Sequence, residues 1–200
     1  MKKDYFEQKA QDYDRDEKRV DNVVNIANAV IQSARLDESM HLMDFGSGTG
    51  LLLEQIAPLV KKITAVDVSP SMTAVLRDKQ AKLGCEIEIL EIDLLTAQLD
   101  SKFDGIISSM TMHHIEDTDA MFDKFYSLLA DGGFIALADL DSEDGSFHAE
   151  DTGVFHCGFH RDAIAAKARQ AGFRQVAMTD ASNIENPRGN FSVFLLKAEK

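Results

Sequence analysis

The fold of this chain is decided by the stretch Leu42-Met43-Asp44-Phe45-Gly46-Ser47-Gly48-Thr49-Gly50, which runs on into three leucines. An apolar pair leads into an aspartate, and three glycines then alternate with small hydroxyl residues. This order is typical of a buried strand that ends in a tight turn and opens a helix. Glycine is needed where the backbone takes a positive φ, or where a ligand approaches the main chain without meeting a Cβ. The free N–H groups at the start of the following helix suit polar or anionic parts of a ligand.

The spacing of the glycines separates two kinds of nucleotide site. Gly46, Gly48 and Gly50 follow the pattern G-x-G-x-G, and Leu51 stands where the dinucleotide fingerprint G-x-G-x-x-G has its last glycine. No G-K-[ST] follows, so the stretch lacks the signature of a phosphate-binding P-loop. A glycine turn alone is also compatible with close packing of a strand against a helix. Its function therefore has to be inferred from the rest of the chain.

Composition and charge limit the classes of function. The 200 residues, 44% of them hydrophobic, suit a single domain with a sizeable core. The formal net charge of -13 argues against a general affinity for nucleic acids or anionic membranes, since both require basic surfaces. Cys85 and Cys157 form no C-x-x-C pair, so we expect neither a disulfide framework nor a zinc site. No signal peptide and no membrane-spanning run is recognisable, and we expect a soluble, cytoplasmic protein.

Apolar periodicity predicts that strands and helices alternate through the middle of the chain. Strands are expected at about 41–45, 63–68, 86–92, 103–109 and 134–139. Helices are expected at about 20–34, 50–60 and 71–83, and around 121–129, where Gly132-Gly133 is expected to close the helix. Such an alternation indicates a parallel sheet with helices on both faces. A polar loop at 141–159, a helix at 161–171 and a hairpin of strands at 175–179 and 191–198 follow, so the last strand should be antiparallel.

Polar side chains follow the predicted strands at the points where the strands end. Asp44, Asp67, Asp93 and Ser109 all fall at such positions. Ligands of open α/β sheets bind at the carboxyl ends of the strands, near the switch in strand order. Asp67 follows the first glycine by about 20 residues, a spacing that suits a carboxylate on ribose hydroxyls. Asp93 and Leu94 suit an adenine. The Asp93 carboxylate would accept a hydrogen bond from the exocyclic amine, and Leu94 would cover the ring.

These residues resemble class I S-adenosylmethionine-dependent methyltransferases of the small-molecule kind, grouped with the ubiquinone and menaquinone enzymes. The resemblance covers nearly the whole chain and rests on residues 44–50, 66–72, 93, 103–115 and 128–133. It implies a Rossmann-like, doubly wound sheet of seven strands, mostly parallel with an antiparallel C-terminal strand, and an N-terminal helical lid. It also implies a single domain, with a cap at 1–38, a cofactor-binding core at 39–140 and an acceptor-side loop, helix and hairpin at 141–200.

The resemblance further implies S-adenosylmethionine as the cofactor and assigns roles in its binding. The glycine loop would lie close to the methionine part of the cofactor, and Asp44 would orient that loop. Asp67 would hold the ribose, and Asp93 would hold the adenine. The remaining members of the implied cofactor site are Ser47, Thr49, Val68, Met72, Leu94, Ser109, Met110 and, in the lid, Tyr13.

The catalytic residues are less defined by the sequence. Methyl transfer from a sulfonium is an in-line displacement in which positioning supplies much of the rate, and a base is needed only if the acceptor loses a proton. His114 and His156 are the candidate bases or orienting groups of an acceptor pocket. Two alternatives stay open, a divalent metal held by His156 and His160, which Gly158 argues against, and purely structural histidines, with His160 at an N-cap position. We expect no metal site.

The expected partner is a small-molecule methyl acceptor, with no nucleic acid and no membrane. After the fourth strand, Ser108-Ser109-Met110-Thr111 lacks the prolines typical of amino-methylating DNA enzymes. A nicotinamide-dependent oxidoreductase is a competing hypothesis, against which the glycine spacing and Asp93 argue. A non-catalytic S-adenosylmethionine-binding protein is another. The sequence leaves the acceptor and the oligomeric state open.

Overall fold

One sheet of seven strands organises the molecule. In the computed structural model, which describes residues 4–148 and 152–200, the strand order is β3-β2-β1-β4-β5-β7-β6. The strands are β1 His41–Phe45, β2 Lys62–Asp67, β3 Glu86–Glu91, β4 Phe103–Ser109, β5 Leu129–Leu140, β6 Arg174–Asn186 and β7 Gly189–Glu199. The helices are α1 Glu17–Ser33, α2 Leu51–Ile56, α3 Pro70–Lys79, α4 Thr118–Leu128 and α5 Arg161–Gln170, with short 3-10 turns at Ala10–Arg15, Ala57–Leu59, Gln80–Lys82 and Met112–His114.

The pairing directions confirm the predicted fold class. Strands β1 to β5 pair in parallel, whereas β7 is antiparallel to both β5 and β6. The connections reverse direction between β1 and β4, which lie side by side in the sheet. This reversal opens a crevice at the carboxyl ends of the strands, where open α/β sheets bind their ligands.

Alternating side chains of the central strands fill two hydrophobic layers. Leu42 and Ile107 point to the layer packed by helices α1 to α3, while Met43 and Ile106 point to the layer packed by α4 and α5. All four residues are fully buried, and each contributes about 1.5–3 kcal/mol by leaving water. In the part of the chain that the structure describes, no helix is both long and apolar enough to cross a membrane.

Two boundaries differ from the sequence-based expectation. The pair Gly132-Gly133 does not end a helix, because α4 stops at Leu128 and the glycines lie inside β5, at a shift in its register with β4. Strand β6 continues to Asn186 rather than ending near residue 179. Its second half is polar and pairs with β7 alone at the sheet edge, so hydrophobic alternation does not reveal it.

Helix α2 is also shorter than expected. It ends at Ile56 and passes into a 3-10 turn, Ala57–Leu59. Pro58 lies in that turn, and its missing N–H and fixed φ explain why the α-helical hydrogen-bond pattern stops there.

Candidate functional site

The glycine loop between β1 and α2 lies at the predicted crevice. A Cβ at Gly46, where φ is +72°, would stand 2.2 Å from the Thr111 Oγ1 atom, which belongs to the segment after β4. Gly48 differs, because a Cβ there would meet no atom within 4 Å although φ is +53°. Gly46 is therefore required for close packing of the loop against the end of β4. Gly48 faces open space, and there a ligand can approach the backbone.

Asp67 holds the glycine loop from the end of β2. Its Oδ2 accepts the Gly48 N–H at 2.7 Å and its Oδ1 accepts the Ser69 N–H at 2.8 Å. Burial raises the pKa of the Asp67 carboxyl, while these two backbone hydrogen bonds lower it. The side chain thus ties the β1–α2 loop to the start of α3, and each carboxylate oxygen keeps a further lone pair for a ligand.

Asp44 lies beneath the loop and is 1% exposed. Its Oδ2 atom is buried and has no hydrogen-bond partner among the described residues. Burial, and then the negative charge of Asp67, raise the pKa of Asp44 to about 8. The Oγ atoms of Ser47 and Ser109 are likewise buried without a hydrogen-bond partner in the part of the chain that the structure describes. Unpaired buried polar atoms cost about 1–3 kcal/mol each, so a group of them at the ends of neighbouring strands is suited to a polar ligand.

The predicted lid contacts this loop directly. We call residues 4–16 the N-terminal strap. Asp14 accepts the Thr49 hydroxyl at 2.5 Å and the Lys79 ammonium at 2.7 Å, while Asp4 accepts the hydroxyls of Ser69 at 2.9 Å and Ser71 at 2.7 Å. The strap is therefore bonded both to the glycine loop and to the start of α3.

The ring of Tyr13 is half-buried and lies between Phe6 of the strap and Arg19 of α1. The Arg19 guanidinium lies 3.9 Å from the ring centroid, and Arg19 Nη1 donates to the Tyr13 carbonyl at 2.7 Å. Burial raises the pKa of the Tyr13 hydroxyl, and nearby Asp67 adds to the rise although Arg19 opposes it. Tyr13 therefore lies near enough to Asp67 for the two to interact electrostatically, and its role in a lid stays a prediction.

The predicted adenine-side residues lie at the ends of β2 and β3. Val68 is 64% exposed and Met72 only 3% exposed. Asp93 forms a turn in which its Oδ1 accepts the Leu95 N–H at 3.2 Å, and Leu94 is buried in the core. An exposed valine next to Asp67 offers apolar surface that a flat ring could cover.

Met110 adopts a backbone conformation that is rare for its residue type. Its φ is +56°, and its N–H donates to the Ala138 carbonyl at 2.8 Å. A non-glycine residue in the left-handed region costs of order 1–3 kcal/mol, and such residues concentrate at functional sites. Met110 follows Ser109 and precedes Thr111, which packs against Gly46, so the strain is located beside the glycine loop.

Three imidazoles and one carboxylate form a compact group at the ends of β4 and β5. We call His113, His114, His148 and Asp139 the histidine cluster. The ring centroid of His113 lies 4.3 Å from that of His114 and 5.2 Å from that of His148. His113 Nδ1 lies 2.7 Å from Asp139 Oδ1, and the two residues are 2% and 1% exposed. Asp139 Oδ2 also accepts the backbone N–H of His113 at 3.1 Å.

His114 and His148 are held neutral by their surroundings. Burial, and then the electrostatic effect of neighbouring His113, lower the pKa of His114 to about 4. The same two causes lower the pKa of His148 to about 4. His114 Nδ1 lies 3.3 Å from the Gly153 carbonyl, which can only accept, so Nδ1 carries the proton and Nε2 the lone pair.

His156, the second predicted catalytic residue, has a different environment. Its Nε2 lies 2.9 Å from the Ile115 carbonyl and its ring centroid 5.1 Å from that of Phe159. His160 stands at the N-cap of α5, as the sequence indicated, and makes no side-chain capping bond. Among the described residues, no three His, Cys, Asp or Glu side chains are placed to hold a metal ion.

Sequence reasoning missed the pairing inside the histidine cluster. His113, His148 and Asp139 are each visible in the sequence as polar residues after strands four and five. Their contacts depend on the register of β4 and β5 and on the path of the loop after β5. The sequence contains no spacing signal for a side-chain contact of this kind.

Comparison with known sequences agrees with the geometry. Residues 42–133 match the family described as the methyltransferase domain. An uncharacterised methyltransferase of Schizosaccharomyces pombe is 31% identical over 164 residues, which cover 76% of this chain and 53% of that protein. A ubiquinone biosynthesis O-methyltransferase of Xanthomonas axonopodis pv. citri is 30% identical over 118 residues, which cover 58% of this chain and 49% of that protein. The chain thus spans about half the length of these curated relatives.

Solved structures share the fold. One chain of the complex between the Haloferax volcanii Trm112 methyltransferase activator and a methyltransferase superposes with a TM-score of 0.80 at 16% identity, covering 100% of this chain and 99% of that one. The N-methyltransferase NodS of Bradyrhizobium japonicum, in complex with S-adenosyl-L-homocysteine, superposes with a TM-score of 0.70 at 15% identity. The superposition covers 92% of this chain and 87% of that one. Likeness at such identities shows the fold alone.

The domain match and the sheet topology lead to one class of protein. Residues 42–133 carry a methyltransferase domain, and the resemblance to class I S-adenosylmethionine-dependent methyltransferases that the sequence indicated is confirmed.

Proposed function

We propose that this protein binds S-adenosylmethionine at the glycine loop and transfers its methyl group to a small-molecule acceptor. The observation that carries the proposal is the buried, unpaired Oδ2 atom of Asp44 beneath a loop in which Gly48 faces open space. The amino acid part of S-adenosylmethionine has an ammonium group, which is the complement of a buried carboxylate. Its binding would also favour the ionised form of Asp44, whose pKa burial raises to about 8.

The remaining residues fit the other parts of the cofactor. Asp67 would hold the ribose hydroxyls with its free lone pairs while it keeps Gly48 in place. Asp93 and Leu94 would hold the adenine, with the exposed side chain of Val68 and the buried Met72 on its sides. When bound, S-adenosylmethionine supplies a methyl group on a sulfonium, which is open to in-line attack.

The chain itself supplies positioning and exclusion of water. The N-terminal strap is bonded to both loops of the proposed cofactor site and would close over it. The unpaired Ser109 Oγ and the strained backbone at Met110 lie between the glycine loop and the histidine cluster, where the acceptor would meet the methyl group. Holding donor and acceptor in line can supply several kcal/mol of the barrier reduction.

A small-molecule acceptor is supported by charge and by the relatives. The net charge of -13 is unfavourable for a nucleic acid partner. The Xanthomonas relative is named for O-methylation in ubiquinone biosynthesis, which supports a hydroxylated small molecule for this chain.

Calorimetric titration tests the proposal. S-adenosylmethionine and S-adenosylhomocysteine should both bind the wild-type protein with micromolar affinity, and NADH should not. Asp67→Ala should weaken this binding. Asp104→Ala is a suitable control for that variant, because Asp104 accepts the His41 N–H at the opposite, amino-terminal edge of the sheet. Binding of NADH in place of S-adenosylhomocysteine would refute the proposed cofactor. Cofactor binding without turnover of any acceptor in a metabolite panel would indicate a non-catalytic binding protein.

A further inference from the structure

Asp139 and His113 form a buried and fully oriented pair. Asp139 Oδ1 accepts the Leu140 N–H at 2.7 Å and lies 2.7 Å from His113 Nδ1, while Oδ2 accepts the His113 N–H at 3.1 Å. These bonds fix the carboxylate on the backbone of both strand ends. Because Nδ1 of His113 faces a carboxylate, that nitrogen carries the proton and Nε2 is the atom left to accept another one. A carboxylate in this position also stabilises an imidazolium when it forms.

The histidine cluster can accommodate one added positive charge. Its three rings lie 4.3 to 6.2 Å apart, so a second positive charge would be strongly unfavourable in this buried setting. Burial and the charge of His113 lower the pKa values of His114 and His148, and Asp139 opposes this effect at both. Two outer charges also act on His148, Glu143 favouring its protonation and Lys9 opposing it. The position next to Asp139 is therefore the one at which the cluster can best hold a proton.

The rings around the cluster indicate what can lie beside it. The centroid of Phe6, from the strap, lies 5.7 Å from that of His114, and Phe147 lies 4.8 Å from His148. Neutral imidazoles and phenylalanine rings suit an uncharged, planar molecule. A cationic amine would instead be repelled once the cluster took up its proton.

Resting on the function proposed above, we propose that His113, oriented by Asp139, is the base of the reaction and that the acceptor is an uncharged aromatic hydroxyl compound. The hydroxyl proton passes to His113 Nε2, and the oxygen forms a bond to the methyl carbon. The bond from that carbon to sulfur breaks with its electron pair going to sulfur. The products are a methyl ether, S-adenosylhomocysteine and an imidazolium paired with Asp139. In this assignment His114 is a positioning residue, since its Nδ1 is committed to the Gly153 carbonyl and its ring packs on His113.

The first test needs no acceptor. Histidine tautomers and charges can be followed by two-dimensional nitrogen–proton NMR of the wild-type protein, with and without S-adenosylhomocysteine, between pH 8 and pH 5. We expect His113 and His114 each to carry a proton on Nδ1 at pH 8, His113 toward Asp139 and His114 toward the Gly153 carbonyl, and we expect His114 and His148 to stay neutral down to pH 5. Protonation of His114 or His148 above pH 5 would overturn the assignment, as would a His113 that lacks its Nδ1 proton at pH 8.

The second test uses catalysis. With 3,4-dihydroxybenzaldehyde as the hydroxyl probe and ethanolamine as the amine probe, only the former should be methylated. Asp139→Asn should lower kcat by roughly 100-fold or more and remove the acidic limb of the pH profile, because a base is inactive once protonated and general base catalysis contributes 10²–10⁴-fold. Its affinity for S-adenosylhomocysteine should stay within about twofold of wild type, since a change smaller than about 0.4 kcal/mol indicates an intact cofactor site. His160→Gln, at an exposed position, is the matched control.

Failure of this proposal can be told apart from failure of the cofactor assignment. If wild type binds no S-adenosylhomocysteine, the proposed function is wrong, whereas the NMR titration still decides where the cluster holds its proton. Methylation of ethanolamine, or an Asp139→Asn variant with unchanged kcat, would refute the base and the acceptor class while leaving cofactor binding intact. If the Asp139→Asn protein does not fold, the titration of the wild-type protein decides.

Discussion

The glycine loop and the histidine cluster lie at the same edge of the sheet and are built in opposite ways. The loop is made of backbone groups and glycines within nine consecutive residues, and its main outside support is Asp67. The cluster is made of side chains, and its two key hydrogen bonds join residues 26 and 39 positions apart in sequence. The cofactor end of the site is therefore specified by local sequence, whereas the acceptor end depends on how distant segments pack. Members of a family can therefore keep the cofactor end of the site and differ at the acceptor end.

The largest effect should come from removing the side-chain support of the glycine loop. Asp67→Ala loses the hydrogen bonds to the Gly48 and Ser69 N–H groups and the proposed ribose contact. Hydrogen bonds to charged groups contribute about 1.5–3 kcal/mol each, so affinity for S-adenosylhomocysteine should fall at least roughly 100-fold. Calorimetry measures this, with Asp104→Ala as the control. Equal affinities of the two variants would show that Asp67 is only structural.

Two glycines of the same loop should respond differently to alanine. Gly46→Ala places a Cβ 2.2 Å from Thr111 Oγ1 in a left-handed conformation, and should destabilise the protein by about 2–4 kcal/mol. Gly48→Ala meets open space and should cost only about 1–2 kcal/mol, the strain of its φ. The affinity of this variant for S-adenosylhomocysteine should nevertheless fall about tenfold, because the added alanine side chain lies where the ligand approaches the backbone. Urea denaturation and calorimetry separate these effects, and similar losses of stability would contradict the distinction.

Asp44 should make the stability of the ligand-free protein fall as pH rises. Its pKa is raised from 3.8 to about 8 in the folded state, so the native protein binds the extra proton between these values. The contribution of protonated Asp44 to the free energy of unfolding is present at low pH and is lost as pH rises toward 8. Asp44→Asn should remove this slope and melt a few degrees higher than wild type at pH 8, yet bind S-adenosylhomocysteine more weakly. Melting curves from pH 5 to 8.5 measure the slope, and parallel pH dependences of the two proteins would contradict the prediction.

The smallest effect is expected in the N-terminal strap. Asp14→Asn weakens the bond to Thr49 and removes the charge opposite Lys79, a partly exposed pair. Exposed ion pairs contribute about 0.2–1 kcal/mol, so affinity should fall about two- to fivefold and the difference should shrink at high salt. Asp12→Asn in the same strap is the control, since the ion pair that Asp12 makes with Arg15 is exposed. An equal effect of both variants would exclude a specific role for the Thr49 contact.

Much of the fold could be predicted because its signals are local. The G-x-G-x-G spacing, the strand-end aspartates and the alternating apolar runs each lie within a few residues. The apolar runs predicted the parallel sheet and its antiparallel last strand, and the family resemblance that the motifs carry implied the seven strands. Apolar patterns did not reveal the polar half of β6, because no residue of this strand is fully buried and its apolar residues are few.

The acceptor side resisted prediction for a physical reason. Whether Asp139 contacts His113 depends on the register between β4 and β5 and on the 3-10 turn that carries His113. A shift of one residue in β5 would turn the Asp139 side chain to the other face. The strap contacts of Asp4 and Asp14 join residues 65 positions apart and are likewise absent from any local pattern. The predicted role of His156 stays a prediction.

The acidic side chains of the strap affect which nucleotides can enter. Asp4 accepts the backbone N–H of Ser71 in the first turn of α3, where the helix dipole favours an anion. A phosphate group that would otherwise be attracted to this helix start meets a carboxylate there, with those of Asp14 and Asp67 near the same loops. We therefore expect the strap to select by charge, against ATP and NADH and in favour of an adenosine whose 5′ substituent is a cationic sulfonium.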